Sequence, residues 1–365
     1  MFLTVLFYIF IAVIFLEFVY FGLATYYFSK ISKSCKKSNA AISLILYTKN
    51  QAEVLKKQLP VFLEQKHTNF ELVLINHAST DDTLEVMKKF QRKNPKLKII
   101  DVKNNESFWA SKKYALTLGI KAATHEQLVL SSIDMQPKSA SWLQHMAAAS
   151  QEKPMVIGFQ SYPFTKFNFF YQFFGFMSLL KNYTLGKLGI HFHGTSANIS
   201  YSKTLFFSTN GFVQHMNLPF GATELFLNEV AQSTNTTFFW HKDAGVEAIQ
   251  KPSFSSWFRE QLKNELTLRS CKPSVQIANA LLFFCRLGFY ALAPVLLIYP
   301  SELHPLILLL IISRFVVQYI SFGLIAKKVN KLKLIIALPL LELWHLGTQF
   351  IIFISSLKSK RLYWN

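Results

Sequence analysis

Between residues 41 and 137, short apolar runs alternate with longer stretches of mixed polarity. The first run, Ala41-Ile42-Ser43-Leu44-Ile45-Leu46-Tyr47-Thr48, has strand length, and a helix-like stretch follows it to Gln65. A second run, Phe70 to Ile75, ends in the polar cluster Asn76-His77-Ala78-Ser79-Thr80-Asp81-Asp82-Thr83. A third, Gln127 to Leu130, ends in Ser131-Ser132-Ile133-Asp134-Met135-Gln136-Pro137. Near-continuous apolar strands separated by helices predict an α/β fold with a parallel sheet. In such a sheet ligands bind at the carboxyl ends of the strands, where both polar clusters lie.

Outside this region the apolar runs are longer. Phe2 to Phe28 contains one charge, Glu17, and can span a bilayer. It exceeds a signal-peptide core and no small-residue cleavage site follows, so it reads as an anchor over residues 1–29. Lys30, Lys33, Lys36 and Lys37 follow directly, which predicts that the middle region, 38–272, faces the cytoplasm. Residues 276–357 form a second membrane region. Ile277–Tyr299 and Leu303–Ile325 read as spans, with Pro300-Ser301-Glu302 as the outer turn. Lys327, Lys328, Lys331 and Lys333 return the chain to the cytoplasm. Leu334–Leu357 carries Pro339, Glu342 and His345, which predicts a broken or re-entrant hairpin rather than a straight span. Phe164–Leu180 is Phe-rich and reads equally as a core helix or an interfacial one.

Composition supports a membrane protein: 51% of the 365 residues are apolar and 36 are Phe. The net charge of +19 follows membrane ends and helix faces without a recognition motif, so it points to anionic lipid rather than nucleic acid. Cys35, Cys271 and Cys285 show no metal or disulfide spacing and fit a reducing compartment. Glu17, Arg286, Arg314 and Glu342 fall inside apolar segments, where charges pair or line a polar path. A Glu17–Arg286 or an Arg314–Glu342 pair is expected, with a lipid-phosphate site as the alternative.

The order of motifs over residues 40–270 resembles the GT-A domain of family 2 membrane glycosyltransferases, a Rossmann-like fold with a mostly parallel sheet. Ser79-Thr80-Asp81 matches that family's turn after the second strand, although the same residues would start a helix in any protein. Ser107 to Gly119 resembles its Gly-Lys-x-x-Ala-Leu segment, especially in a branch common in Bacteroidetes. Asp134, Pro137 and Trp142-Leu143 match the Asp-x-Asp region, and Asn198 and Tyr201 match the acceptor-side segment His193–Tyr201. Phe220-Gly221 and Leu225 to Ala231 flank the general-base motif, and Trp257-Phe258-Arg259 leads into the Gln-x-x-Arg-Trp motif.

The resemblance implies a nucleotide-sugar site formed by Thr48, Asn76, His77, Lys112, Lys113, Ser132 and Asp134. It places Asn198, Trp257 and Lys263 on the acceptor side. Several of the family's chemical residues are replaced. His77 stands where a base-contacting Asp is expected, and Ser132 replaces the first metal-motif Asp. Asp134 alone would hold Mn2+ or Mg2+ weakly. Ala222 and Thr223 occupy the base pair, leaving Glu224 one position later as the remaining catalytic candidate. Lys263 and Asn264 replace the Arg-aromatic pair, which removes the bidentate fork. His191 and His193 alternate on one strand face, but two ligands alone do not make a metal site.

Two functions follow. One is a catalytically impaired scaffold in the bacterial inner membrane, partnering active enzymes of envelope-glycan assembly. The other is a working inverting transferase that moves sugar from a nucleotide-diphosphate donor to a lipid-linked or envelope glycan.

Overall fold

The computed structural model describes residues 2–31, 36–103, 112–161, 169–191, 197–250, 252–299 and 302–358, and the chain divides into two compact units. In chain order the strands are β1 (Ile42–Thr48), β2 (Phe70–His77), β3 (Leu97–Val102), β4 (Gln127–Ser132), β5 (Met135–Pro137), β6 (Met155–Gly158), β7 (Gln160–Ser161), β8 (Ile199–Ser202), β9 (Thr236–Phe239) and β10 (Val246–Ala248). The helices are α1 (Phe2–Ser29), α2 (Ala52–Leu63), α3 (Thr83–Gln91), α4 (Lys112–Ala122), α5 (Trp142–Glu152), α6 (Phe169–Lys187), α7 (Lys203–Ser208), α8 (Ala222–Val230), α9 (Phe254–Leu268), α10 (Pro273–Ile298), α11 (His304–Lys328) and α12 (Leu338–Lys358).

The α/β unit is built on a seven-stranded sheet of order β3-β2-β1-β4-β8-β6-β9. Strands β1 to β4 are parallel, as the apolar runs predict, and β8 runs antiparallel between β4 and β6. All eight residues of β2 are buried, because helices cover both faces of the sheet. One core packs α2, α3 and α5 on one face, with Leu55, Leu59, Phe62 and Trp142 fully inside. The other packs α4, α7 and α8, around Ile75, Ile120, Phe206 and Phe226. Gly119 lets α4 approach β2: a Cβ there would lie 2.3 Å from the Ile75 side chain. A smaller sheet, β5-β10-β7, borders the main one.

One buried carboxylate makes this unit acid-sensitive. Glu71 accepts from the Ser43 hydroxyl, the Thr124 backbone N–H and the Thr124 hydroxyl, and Lys98 Nζ lies 2.8 Å away. Burial alone would raise its pKa, but these donors outweigh burial and hold it at about 2. A depressed folded-state pKa stabilises the fold above the ordinary carboxylate value, and this stabilisation is lost as pH falls toward 2. The contribution is on the order of 3 kcal/mol at most. Glu71→Gln should therefore flatten the loss of stability between about pH 4.5 and 2, read by thermal unfolding across that range. An unchanged acid profile in the variant would show that other groups control it.

The second unit contains α1, α6, α10, α11 and α12. Four of these helices, α1, α10, α11 and α12, are long and apolar enough to cross a membrane. The expected hairpin at Leu334–Leu357 does not form. Leu332–Ile335 makes a 3-10 turn and Leu338–Lys358 is one 21-residue helix. Pro339 sits in the first turn of α12, where its missing N–H costs no intrahelical bond. Glu342 and His345 do not break the helix because both find partners on α10.

The Phe-rich segment, described from Phe169, is not part of the α/β core. Helix α6 joins the apolar unit, with Phe28 against Tyr183 at 4.5 Å, Phe174 against His345 at 4.8 Å and Phe176 against Phe322 at 5.9 Å between ring centroids. A helix apolar on every side is suited to burial among other apolar helices. Lys328 closes the unit by donating to the carbonyls of Phe28 and Ser29, the last residues of α1, and of Ile31 just beyond it.

The intramembrane charges form one network rather than two separate pairs. Arg314 binds Glu17 through Nε (2.8 Å) and Nη2 (3.2 Å), and binds Glu342 through Nη1 (2.9 Å) and Nη2 (3.0 Å). Gln318 accepts a further bond from Nη1. The expected Arg314–Glu342 pair is present, but Glu17 pairs with Arg314 and not with Arg286. Arg286 lies 3.7 Å from Glu342 and contacts His345 Nδ1 at 3.2 Å.

Candidate functional site

The carboxyl ends of β1, β2 and β4 lie side by side because β1 is the central strand of the three. Thr48 pairs with Asn76 on one side and Tyr47 with Ser132 on the other. His77 and Ser132 thus flank the end of β1. The chain leaves β2 through Ala78, whose φ of 47° is uncommon for a residue with a Cβ.

Several residues expected at the nucleotide are committed to the scaffold. Thr48 donates to the Ile75 carbonyl, and Asn76 donates to Asp101 at 2.7 Å. Asp81 accepts from Ala52 N–H, Thr83 N–H and the Thr83 hydroxyl, tying the turn after β2 to the start of α2. Ser79 and Thr80 bond Asn50 in the same turn. The Ser79-Thr80-Asp81 match is therefore used in turn and helix-start bonding, the structural reading that the sequence also allowed.

The two lysines diverge. Lys113 is buried and donates to the carbonyls of His215 and Leu218, bracing the turn before α8. Burial lowers its pKa to about 8, with the Glu224 charge opposing. Its ammonium is thereby occupied, so the phosphate contact expected of Lys112 or Lys113 is open only to Lys112. The residue Lys112 is exposed, and its ammonium lies 4.9 Å from the Tyr47 ring centroid. Desolvation among surrounding protein atoms lowers its pKa, opposed by the charges of Glu224, Asp134 and Glu260.

Those charges define the site. Asp134 follows β4, Glu224 lies in the first turn of α8, and Glu260 and Lys263 lie on α9. The carboxyl of Glu260 is raised above the ordinary range, first by desolvation, then by Glu224 and Asp134, with Lys263 and Lys112 opposing. Three carboxylates and three ammonium groups, with Lys113 facing Glu224, therefore share one electrostatic neighbourhood. Asp134 is exposed and can supply one oxygen ligand. That donor set fits a hard divalent ion that takes its remaining ligands from substrate oxygens, as Mg2+-type sites do.

Tyr47 and Glu260 are two residues that sequence reasoning did not assign. The Tyr47 hydroxyl is 2.6 Å from His77 Nδ1, and burial raises its pKa to about 12. The phenol therefore keeps its proton, and it shares one hydrogen bond with Nδ1 whose direction follows the His77 tautomer. The signal for Tyr47 was a polar-tipped residue at the end of an otherwise aliphatic strand. Glu260 stands inside the altered last motif, beside the glutamine.

Two acceptor-side expectations change. Asn198 is fully buried. Its oxygen accepts from Trp142 Nε1, and its amide donates to the carbonyls of Phe159 and Ala244. A side chain with no exposure cannot touch an acceptor, so Asn198 acts as a structural knot. Trp257 is likewise buried. Lys263 does reach the charged cluster. At α8, Gly221 occupies the left-handed N-cap with φ 69°, Ala222 and Thr223 follow, and Thr223 is 2% exposed. His191 stacks on Phe238. Cys35, Ser107 to Ser111 and His193 to Ser196 lie outside the described residues.

The glycosyl transferase family 2 model matches residues 43–207. This chain carries a family 2 glycosyltransferase domain. A poly-beta-1,6-N-acetyl-D-glucosamine synthase from Staphylococcus epidermidis is 30% identical over 106 residues, covering 29% of this chain and 24% of the relative. The chain thus matches about a quarter of the length of that curated relative. A solved mannosyltransferase from Pyrobaculum calidifontis, in complex with GDP-Man and Mn2+, is 17% identical at TM-score 0.53, covering 91% of this chain and 98% of the other. That likeness shows the GT-A fold.

Proposed function

We propose that this protein is a membrane-embedded family 2 glycosyltransferase relative that keeps a donor site but has weakened or lost transfer chemistry. In this reading it works as a scaffold or partner for active enzymes of cell-envelope glycan assembly. The carrying observation is the first turn of α8. The positions of the family's base pair hold Ala222 and Thr223, and neither side chain can accept the acceptor's proton at neutral pH. Lysines at positions 30, 33, 36 and 37 support a bacterial inner-membrane location with the α/β unit on the cytoplasmic side.

The remaining residues support donor binding. Lys112 offers a point charge to a diphosphate, and Tyr47 with His77 offers a polar aromatic edge to the nucleotide. Asp134 would hold a divalent ion, which supplies charge neutralisation at the departing diphosphate when bound. The mannosyltransferase with GDP-Man and Mn2+ supports a nucleotide-sugar donor with manganese.

A second reading, an active inverting transferase, is favoured by Glu224. Its charge acts on Lys112, Lys113 and Glu260, so the displaced carboxylate still belongs to the site.

Calorimetry of the full chain in detergent, with a panel of uridine- and guanosine-diphosphate sugars, tests the donor site. A nucleotide sugar should bind, Mn2+ should strengthen binding, and Asp134→Ala should remove the manganese effect while basal binding persists. Absence of binding to every donor, with and without Mn2+, would overturn the donor-site reading. Sustained turnover at typical enzyme rates, about 1–1000 per second, would replace the impaired reading with the active one.

A further inference from the structure

Away from the donor site, His145, His241 and Asp243 bring one ligand atom each to within 4.8 Å of one another. We propose that these three residues form a binding site for a borderline divalent transition metal of the zinc class, which clips the β9–β10 turn to α5. This proposal is independent of the donor site and its metal.

The ring protonation states favour it. His145 Nδ1 lies 2.8 Å from the Lys36 carbonyl, which can only accept, so Nδ1 carries the proton and Nε2 carries the lone pair. A backbone carbonyl on the far nitrogen is the usual support of a metal-ligating imidazole. On His241, Nδ1 accepts from the Asp243 backbone N–H at 3.2 Å, so the lone pair is on Nδ1. That nitrogen lies 3.8 Å from Asp243 Oδ2. Two ligands at zinc distances of 2.0–2.1 Å in a tetrahedron stand about 3.4 Å apart. Small side-chain rotations therefore close the site, at the cost of one long hydrogen bond.

The ligands also sit on elements that are already joined. Ser139 donates to the Asp243 carbonyl at 2.7 Å, and Lys138 N–H donates to the Gly245 carbonyl at 3.0 Å. Ser38 N–H donates to the Gln144 carbonyl at 3.0 Å, which holds the Lys36 segment against α5. Half-exposed Asp243 provides the entry path, while His145 is buried. Three protein ligands leave the fourth position for water. Two imidazoles with one carboxylate select zinc-like ions over Mg2+ and bind Mn2+ more weakly.

The test is uptake of Zn2+ and Co2+ by the untagged full chain in detergent, compared with His241→Gln/Asp243→Asn, in which both ligands near the surface are altered. Wild type should take up one more equivalent than the double variant, and bound Co2+ should show tetrahedral visible absorption. Each single variant should weaken binding at least about tenfold. Zn2+ should raise the unfolding temperature of wild type and leave that of the double variant unchanged, a comparison that also reports whether the variant folds. Equal metal uptake by the two proteins, or no uptake by wild type, would overturn the site.

Discussion

Arg314→Met should destabilise the apolar unit by about 3–5 kcal/mol, the usual cost of removing one partner from a buried ion network. Arg314 has no exposure and holds Glu17 and Glu342 through two bidentate contacts. Its planar fork satisfies both carboxylates at once, which a lysine cannot do. The network contains two arginines and two glutamates, so it is formally neutral. Removing Arg314 alone strands a carboxylate among apolar helices. Removing Glu17 as well restores neutrality, because Arg286 remains beside Glu342. The double variant Arg314→Met/Glu17→Met should therefore recover most of the loss, read as thermal unfolding in detergent. A single variant that melts like wild type, or a double variant no better than the single, would sink the network account.

The network also shows why the membrane region was only partly legible. Hydropathy located α1, α10 and α11 to within a few residues, because length and apolarity are local properties. Helix α12 was misread because Pro339, Glu342 and His345 look like breakers when their partners are unknown. Those partners are Arg286 and Arg314, on α10 and α11. Glu17 found Arg314 instead of Arg286 for the same reason: pairing is a tertiary choice among groups of equal charge. Phe-rich α6 carries no local mark that separates a sheet-covering helix from one packed among apolar helices.

At the carboxyl ends of β1, β2 and β4 the order of elements was legible because buried parallel strands have a distinctive pattern. The roles of single residues were less so. Asn198 and Asp81 match the family, yet both serve the scaffold, since motif spacing does not distinguish a ligand contact from a hydrogen-bonded knot. Glu260 was visible as a residue but not as a site carboxylate. Its raised pKa comes first from desolvation and then from the charges of Glu224 and Asp134, which are distant in sequence. The two histidines of the proposed zinc-class site are about a hundred positions apart, beyond any local spacing rule.

Restoring the missing base gives the sharpest separation of the two functional readings. In the impaired reading, Thr223→Asp returns a proton acceptor to the first turn of α8, where the helix dipole favours a negative charge. Transfer should then rise by about a hundred- to ten-thousand-fold from its residual level, the usual worth of a positioned general base. Glu224→Gln should change little, since Glu224 lies one residue, about 100° of helix rotation, from the base position. In the active reading the pattern reverses. Glu224→Gln removes about that same factor and Thr223→Asp adds little to transfer; because Thr223 is buried beside Glu224, that substitution lowers stability in either reading. Ala222→Asp, at a partly exposed position, separates base chemistry from the desolvation cost at Thr223. The measurement is sugar transfer by the full chain with the donor that calorimetry selects. If Glu224→Gln alone abolishes transfer, the impaired reading fails and Glu224 is the base. A gain confined to Thr223→Asp would instead mark an intact scaffold from which the base has been removed.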